Sequence, residues 1–365
     1  MREIGRSEQE LFSSLARYQE KDTPYDRILS SMCTCPHPLA AQVHTMFMGT
    51  NLGDPGLFAG TAKLEALLVK RLGELLSHAS AGGYATSGGT ESNIQALRIA
   101  KKIKKADHPN VIIPESAHFS FDKACDILSI ELRTIPLDKD FRMDVEKIAP
   151  HIDRNTIGVI AVAGTTEYGM VDPVKEVAAI AKEHDLFFHV DAAFGGLVLP
   201  FLDTKIPFDF SITGVDSISV DPHKMGMSTI PTGCLLVRDP SMLALLNIST
   251  PYLTVKQEST LMGTRSGGAV AGAFAVLEYL GREGMQALVR GCMKNTDRLI
   301  HGMEAYGFPP VVQPDVNVAA FSFPHAPAGW HVSWTRLGHM RIVCMPHVHR
   351  SMIESFLQSV GDICA

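Results

Sequence analysis

The 365 residues predict an α/β protein, a large layered α/β domain followed by a small C-terminal α+β domain. Three observations carry this. Helix-like and strand-like segments alternate between residues 90 and 238, several of the strands are unbroken apolar runs, and the composition shifts after about residue 256. Runs such as Ile157–Val162 and Leu186–Val190 suit a parallel sheet covered on both faces, where neither side chain direction meets water.

In chain order, Leu11, Leu15 and Tyr18 have the spacing of a helix over 6–20. Residues 24–56 have little periodicity, and Gly49, Gly53, Pro55 and Gly56 imply turns, so 1–55 reads as an extended N-terminal arm. Leu64, Leu67, Leu68, Leu72, Leu75 and Leu76 make one apolar stripe on a helix over 61–77, which opens a large domain spanning 56–256. There follow helix 90–105, strand 111–114, helix 119–128, strand 131–137, helix 143–149, strand 157–163 and helix 173–184, then strands 186–191, 216–221 and 233–238. The small domain, 257–365, holds a Gly/Ala-rich helix over 266–280, a second over 284–306, strands 316–323 and 340–345, and a last helix over 348–362.

The bulk numbers narrow the function classes. A net charge of −6 with pI near 6.2 gives no electrostatic footprint for nucleic acid. The seven cysteines are odd in number and lack C-x-x-C spacing, and Cys33-Thr34-Cys35 with His37 is too tight for a zinc knuckle. Neither a metal site nor a disulfide framework is expected, which fits a reducing cytoplasm. The start, Met1-Arg2-Glu3-Ile4, has no apolar leader, and no apolar run reaches membrane-spanning length, so neither export nor a membrane partner is expected.

The chemistry concentrates in two strand ends. Asp191 closes His189-Val190-Asp191-Ala192-Ala193, and Lys224 follows thirty-three residues later in Asp221-Pro222-His223-Lys224. In an open α/β sheet such ends meet at the ligand crevice. A lysine there can form a Schiff base, and a carboxylate can balance a protonated ring nitrogen, the two groups that pyridoxal phosphate asks of a protein. Either residue alone would read as a loop lysine or a helix-capping acid. Thr86-Ser87-Gly88-Gly89-Thr90 stands before a strong helix, where close backbone approach and free N–H groups favour a phosphate. Gly164-Thr165-Thr166 offers a hydroxyl after a strand, and His118 opens a helix, where an imidazole can stack on a planar ring. Alone, each of these would be a turn or a cap.

In this order the motifs resemble the group II pyridoxal-phosphate decarboxylases, over roughly residues 35–350, and within them the archaeal branch that acts on L-tyrosine and L-aspartate. The resemblance implies the aspartate-aminotransferase fold (fold type I), a homodimer with shared active sites, and decarboxylation serving methanofuran and coenzyme A biosynthesis. It implies Lys224 as the Schiff-base lysine, Asp191 as partner of the ring nitrogen, His118 and Ala193 on the two ring faces, and Gly89, Thr90 and His223 at the phosphate. Thr166 would sit by the ring hydroxyl, and Thr264 would reach the neighbouring subunit's phosphate. Tyr252, twenty-eight residues past Lys224, would protonate Cα from a mobile loop, and Arg341 would take the substrate carboxylate. His37, Asn51 and Asp54 would shape the substrate pocket, with Leu57 and Phe58 as an aromatic alternative. Residue 221 is Asp where several relatives have Asn, which puts a carboxylate near the expected phosphate. The amino-acid sequence leaves tyrosine and aspartate open. A carbon–carbon lyase, an aminotransferase, a glutamate decarboxylase or a binding-only protein are the competing readings. The last of these has no need of an acid on a loop.

Overall fold

The computed structural model describes residues 1–365 and begins with α1 (Glu8–Gln19). Ser7 accepts from the Glu10 N–H while the Glu10 carboxylate accepts from the Ser7 N–H, a reciprocal box that satisfies two helix-start donors. No residue of α1 is buried, and Leu11, Phe12 and Leu15 are exposed. The arm that follows is not extended throughout. Pro38–Phe47 forms α2, with the His37 ring capping its start and Pro38 preset for a first turn. Leu29 is fully buried, its N–H donating to the His331 carbonyl and its own carbonyl accepting from the Val343 N–H, so the arm is stitched to the far end of the chain.

α3 (Ala59–Leu75) buries Leu68 and Leu72 of the leucine stripe. β1 (Gly82–Thr86), α4 (Gly89–Ile103), β2 (Asn110–Pro114), α5 (Ser120–Leu128) and β3 (Glu131–Ile135) come next. β1 has no counterpart in the sequence reading because Gly82-Gly83-Tyr84-Ala85-Thr86 offers no apolar run. The helix expected over 143–149 is replaced by two single 3-10 turns, 145–147 and 149–151, since Pro150 has no N–H to continue a ladder. β4 (Thr156–Val162), α6 (Val174–Glu183), β5 (Phe187–Asp191), β6 (Ser217–Val220) and β7 (Gly233–Val237) complete the large domain's sheet.

That sheet has seven strands in the order β1-β7-β6-β5-β4-β2-β3. From β3 to β6 the pairings are parallel, whereas β7 runs antiparallel to both β6 and β1. The apolar runs read as parallel strands are so paired, while the β6–β7 connection carries no crossover helix and the chain returns antiparallel. Alternate side chains feed two cores. Leu235 and Val237 pack with α4 and α5 residues such as Leu97 and Phe121, while Cys234 and Leu236 join the larger cluster with α6 and the C-terminal part.

Beyond β7 lie α7 (Ser241–Ala244), the short hairpin β8 (Ile248–Ser249) and β9 (Gln257–Glu258), then α8 (Gly267–Ala305). α8 is the two expected helices set end to end at Gly281, whose φ of 56° is non-helical. Its Gly/Ala half receives α2 closely: a Cβ on Gly272 would stand 2.9 Å from the Ala40 carbonyl oxygen. β10 (Val318–Phe321), β11 (Ser333–Trp334) and β12 (Met340–Val343) form a small antiparallel sheet ordered β10-β12-β11, and α9 (Arg350–Cys364) ends the chain. No helix is long and apolar enough to cross a membrane. The carboxyl ends of β4, β5 and β6 open on one edge of the large sheet, beside the start of α4, where open α/β sheets take ligands.

Candidate active site

At that edge lies a cavity of about 270 Å³ lined by Lys224, Asp191, Asp221, His118 and the Gly88–Gly89 turn. Asp191 is the last residue of β5, paired across the sheet with Ser219 of β6, and this register delivers its first partner. The Ser219 hydroxyl donates to Asp191 Oδ1 at 3.0 Å and the Ala193 N–H to the same oxygen at 3.1 Å, while Asn93 Nδ2 donates to Oδ2 at 2.8 Å. Burial works to raise the pKa of this carboxyl. The Lys224 ammonium and the donated bonds outweigh it and hold Asp191 below the ordinary carboxylate range.

Lys224 sits in the turn after β6, its Nζ 3.1 Å from Asp221 Oδ2. Burial pushes its pKa down, but Asp221 and Asp191 prevail and raise it. Asp221, itself buried, also accepts from the Gly89 N–H at 3.0 Å, so the carboxylate in question since the sequence stands directly at the helix start. His118 also lines the cavity; its Nδ1 accepts from the Ser120 N–H at 3.1 Å, and burial lowers its pKa, favouring a neutral ring.

The glycine turn is shaped for close approach. Gly88 has φ of 146°, a conformation L side chains rarely adopt, and α4 starts there without a side-chain cap. A Cβ on Gly89 would stand 3.0 Å from Ala193 Cβ and 3.1 Å from Asp221 Oδ2. A helix start with no cap of its own, its Gly89 N–H turned to Asp221 and His223 and Thr90 beside it, is a phosphate cradle that a methyl would fill. Cradle, amine, buried carboxylate and imidazole together fit pyridoxal phosphate, a planar ring bearing a phosphate, an aldehyde and a basic nitrogen.

Of the residues expected from the sequence, Gly89, Thr90, His118, Thr166, Asp191, Ala193, His223 and Lys224 line this one cavity. Six others do not, for reasons visible in their contacts. Tyr252 lies in the β8–β9 loop and is 86% exposed, and Thr264 is exposed as well. Asn51 Oδ1 is spent on the N–H groups of Gly53 (2.8 Å) and Arg265 (3.0 Å). Asp54 accepts from the Thr254 N–H at 3.1 Å and from its hydroxyl, which ties the arm to the Tyr252 loop. The His37 Nδ1 is engaged in capping α2, with its ring beside Tyr279 at 5.5 Å between centroids.

Arg341 lies in β12, the central strand of the small sheet, and is 9% exposed. Its Nη1 donates to the Thr166 carbonyl at 2.8 Å and its Nε to Ser333 Oγ at 2.8 Å, and Nη2 is bonded to the Ser30 carbonyl. All three partners are uncharged. The guanidinium is thus held immediately behind Thr166 with its charge unpaired, and burial lowers its pKa.

The sequence reading passed over Asn93. Its signal was a polar residue one turn after Gly89, on a helix whose residues from Glu91 to Leu97 are all buried.

Residues 37–324 match the family described as the pyridoxal-dependent decarboxylase conserved domain. A protein of Methanosphaerula palustris called probable L-tyrosine/L-aspartate decarboxylase is 64% identical, the match covering 98% of this chain and 99% of that one. A probable L-aspartate decarboxylase of Archaeoglobus fulgidus is 46% identical over 97% of this chain and 99% of its own. Among solved structures, a sphingosine-1-phosphate lyase of Burkholderia pseudomallei aligns with a TM-score of 0.90 at 25% identity, covering 99% of this chain and 91% of the other. A Lactobacillus brevis glutamate decarboxylase aligns with a TM-score of 0.90 at 21% identity, covering 100% and 95%, a likeness of fold.

Proposed function

The chain belongs to the pyridoxal-dependent decarboxylases, and we propose that the amino acids it decarboxylates are L-tyrosine and L-aspartate, giving tyramine and β-alanine. It is a pyridoxal-phosphate-dependent amino acid decarboxylase of fold type I. The substrate pair rests on near full-length identity above 60% to a relative named for both amino acids. In this reading the products serve methanofuran and coenzyme A biosynthesis in the cytoplasm. The more distant relative named for aspartate alone favours a second reading, aspartate only.

When bound, pyridoxal phosphate supplies an electron sink for the pair left at Cα as carbon dioxide departs. The remaining work falls to the chain. Lys224 would hold the cofactor's aldehyde carbon, and Asp191, anionic and fixed by three donors, would keep a proton on the ring nitrogen. The α4 start with Gly89, Thr90 and His223 would take the phosphate, His118 and Ala193 would flank the ring, and the Thr166 hydroxyl would serve its phenolic oxygen. Arg341, buried without an acidic partner, offers its charge to the substrate carboxylate.

A single chain lacks the Cα acid at its cavity, since Tyr252 is almost wholly exposed. In this reading the site is completed by a second copy in a homodimer, whose Tyr252 and Thr264 enter this cavity. Tyr252→Phe keeps the packing and removes only the proton. It is expected to release carbon dioxide yet yield aldehyde and ammonia under air in place of amine, read by chromatography of the products. Amine at the wild-type rate without aldehyde would move the role to another residue.

The substrate assignment is tested by carbon dioxide release from carboxyl-labelled tyrosine, aspartate, glutamate and DOPA with purified, cofactor-loaded protein. Turnover of tyrosine and aspartate is expected. Turnover of aspartate alone supports the second reading, and turnover of glutamate alone contradicts both.

A further inference from the structure

Behind Asp191 runs a line of fully buried polar side chains, of which the roles above use only the Asn93 donor: Asn93 on α4, His189 on β5 and Ser217 on β6. Their orientation follows from what each atom can donate. An ionised Asp191 only accepts, so the atom of Asn93 that meets its Oδ2 at 2.8 Å is the amide nitrogen. The second hydrogen of that nitrogen goes to Ser120 Oγ at 2.9 Å. Asn93 Oδ1 is left facing His189 Nε2 at 2.9 Å and must receive its hydrogen, which leaves His189 Nδ1 to accept from the Ser217 hydroxyl at 2.8 Å. Burial drives the His189 pKa down, so the ring stays neutral and in one tautomer.

Asp191 has about four lone-pair positions. Ser219, Ala193 and Asn93 fill three of them, and the carboxylate lines the cavity with one to spare. Asn93 stands one turn along α4 from Gly89, so the helix whose start forms the phosphate cradle also holds the acid at the far end of the cofactor. We propose that Asn93 is a positioning residue that aims the free lone pair of Asp191 at the cofactor's ring nitrogen, with His189 and Ser217 fixing the Asn93 amide. This rests on the reading of Asp191 as the ring-nitrogen partner.

The test compares dissociation constants of pyridoxal phosphate and of an analogue carrying C–H in place of the ring nitrogen, for wild type and Asn93→Leu. Wild type is expected to prefer pyridoxal phosphate by about tenfold or more, the scale of one charge-assisted hydrogen bond. Asn93→Leu is expected to bring the two constants within about twofold, the loss falling on pyridoxal phosphate alone. If both ligands weaken equally and the preference survives, Asn93 is mere packing and the proposal fails. If wild type shows no preference, the Asp191 reading is overturned and this proposal with it. Should Asn93→Leu not fold, the ¹⁵N spectrum of histidine-labelled, cofactor-free wild type decides. A proton on Nε2 of His189 is expected, and a proton on Nδ1 reverses the amide and overturns the proposal.

Discussion

Asp191→Asn should bind pyridoxal phosphate and yet lose decarboxylation by roughly two to three orders of magnitude, the scale of removing one preorganised electrostatic partner. The shape of the residue barely changes, and its three donors remain, but in either amide orientation one of its contacts becomes mismatched. An amide nitrogen placed at Oδ2 would point its hydrogens at the Asn93 amide nitrogen; placed at Oδ1 it would face the Ala193 N–H. More important, a neutral amide no longer favours a proton on the ring nitrogen, which the electron sink requires. Because the carboxyl is held below its ordinary range, wild type should show no Asp191 titration in its rate profile near neutrality. The measurement is kcat with the cofactor occupancy determined independently. A loss under about tenfold would show that another group keeps the ring protonated.

Lys224→Ala should abolish amine formation and the visible absorbance of the imine, since no other lysine lines the cavity. The variant also frees Asp221, whose carboxylate then keeps only the Gly89 N–H and a longer contact to His223 at 3.8 Å. An unpaired carboxylate beside the phosphate cradle repels the cofactor, so weaker binding of pyridoxal phosphate is expected as well as lost chemistry. Lys224→Ala,Asp221→Asn should recover much of that binding with no recovery of activity, as equilibrium dialysis would show. Full turnover by Lys224→Ala would remove the residue from the mechanism.

Much of the large domain was legible because its strands are apolar runs and its helices amphipathic, signals that survive without tertiary context. Lys224 and Asp191 stood out for the same reason: each follows such a run, and a charge at the end of a buried strand has few places to go. What escaped notice depended on partners far along the chain. β1 is held by pairing with β7, from Gly82 opposite Val237 to Thr86 opposite Gly233, and not by its own composition. α2 owes its place to the Gly/Ala face of α8, more than two hundred residues away. Asn93 gains meaning only when α4 lies against the end of β5. Asn51 and Asp54 show the converse, residues expected to shape the substrate pocket that are engaged in holding the arm to the 254–265 segment. Tyr252 and Thr264 were read from position alone, and the fold of one chain leaves them on its surface.

The central claim is that this cavity, through Lys224, carries the cofactor of an amino acid decarboxylase. Borohydride reduction of the wild-type holoenzyme, followed by proteolysis and mass mapping, addresses it most directly, because reduction fixes the cofactor to the lysine that holds it. The account predicts a single pyridoxyl-phosphate adduct on the peptide containing Asp221-Pro222-His223-Lys224, with decarboxylation lost in step with its formation. A stoichiometric adduct on any other lysine, or full reduction at Lys224 with decarboxylation intact, would contradict it.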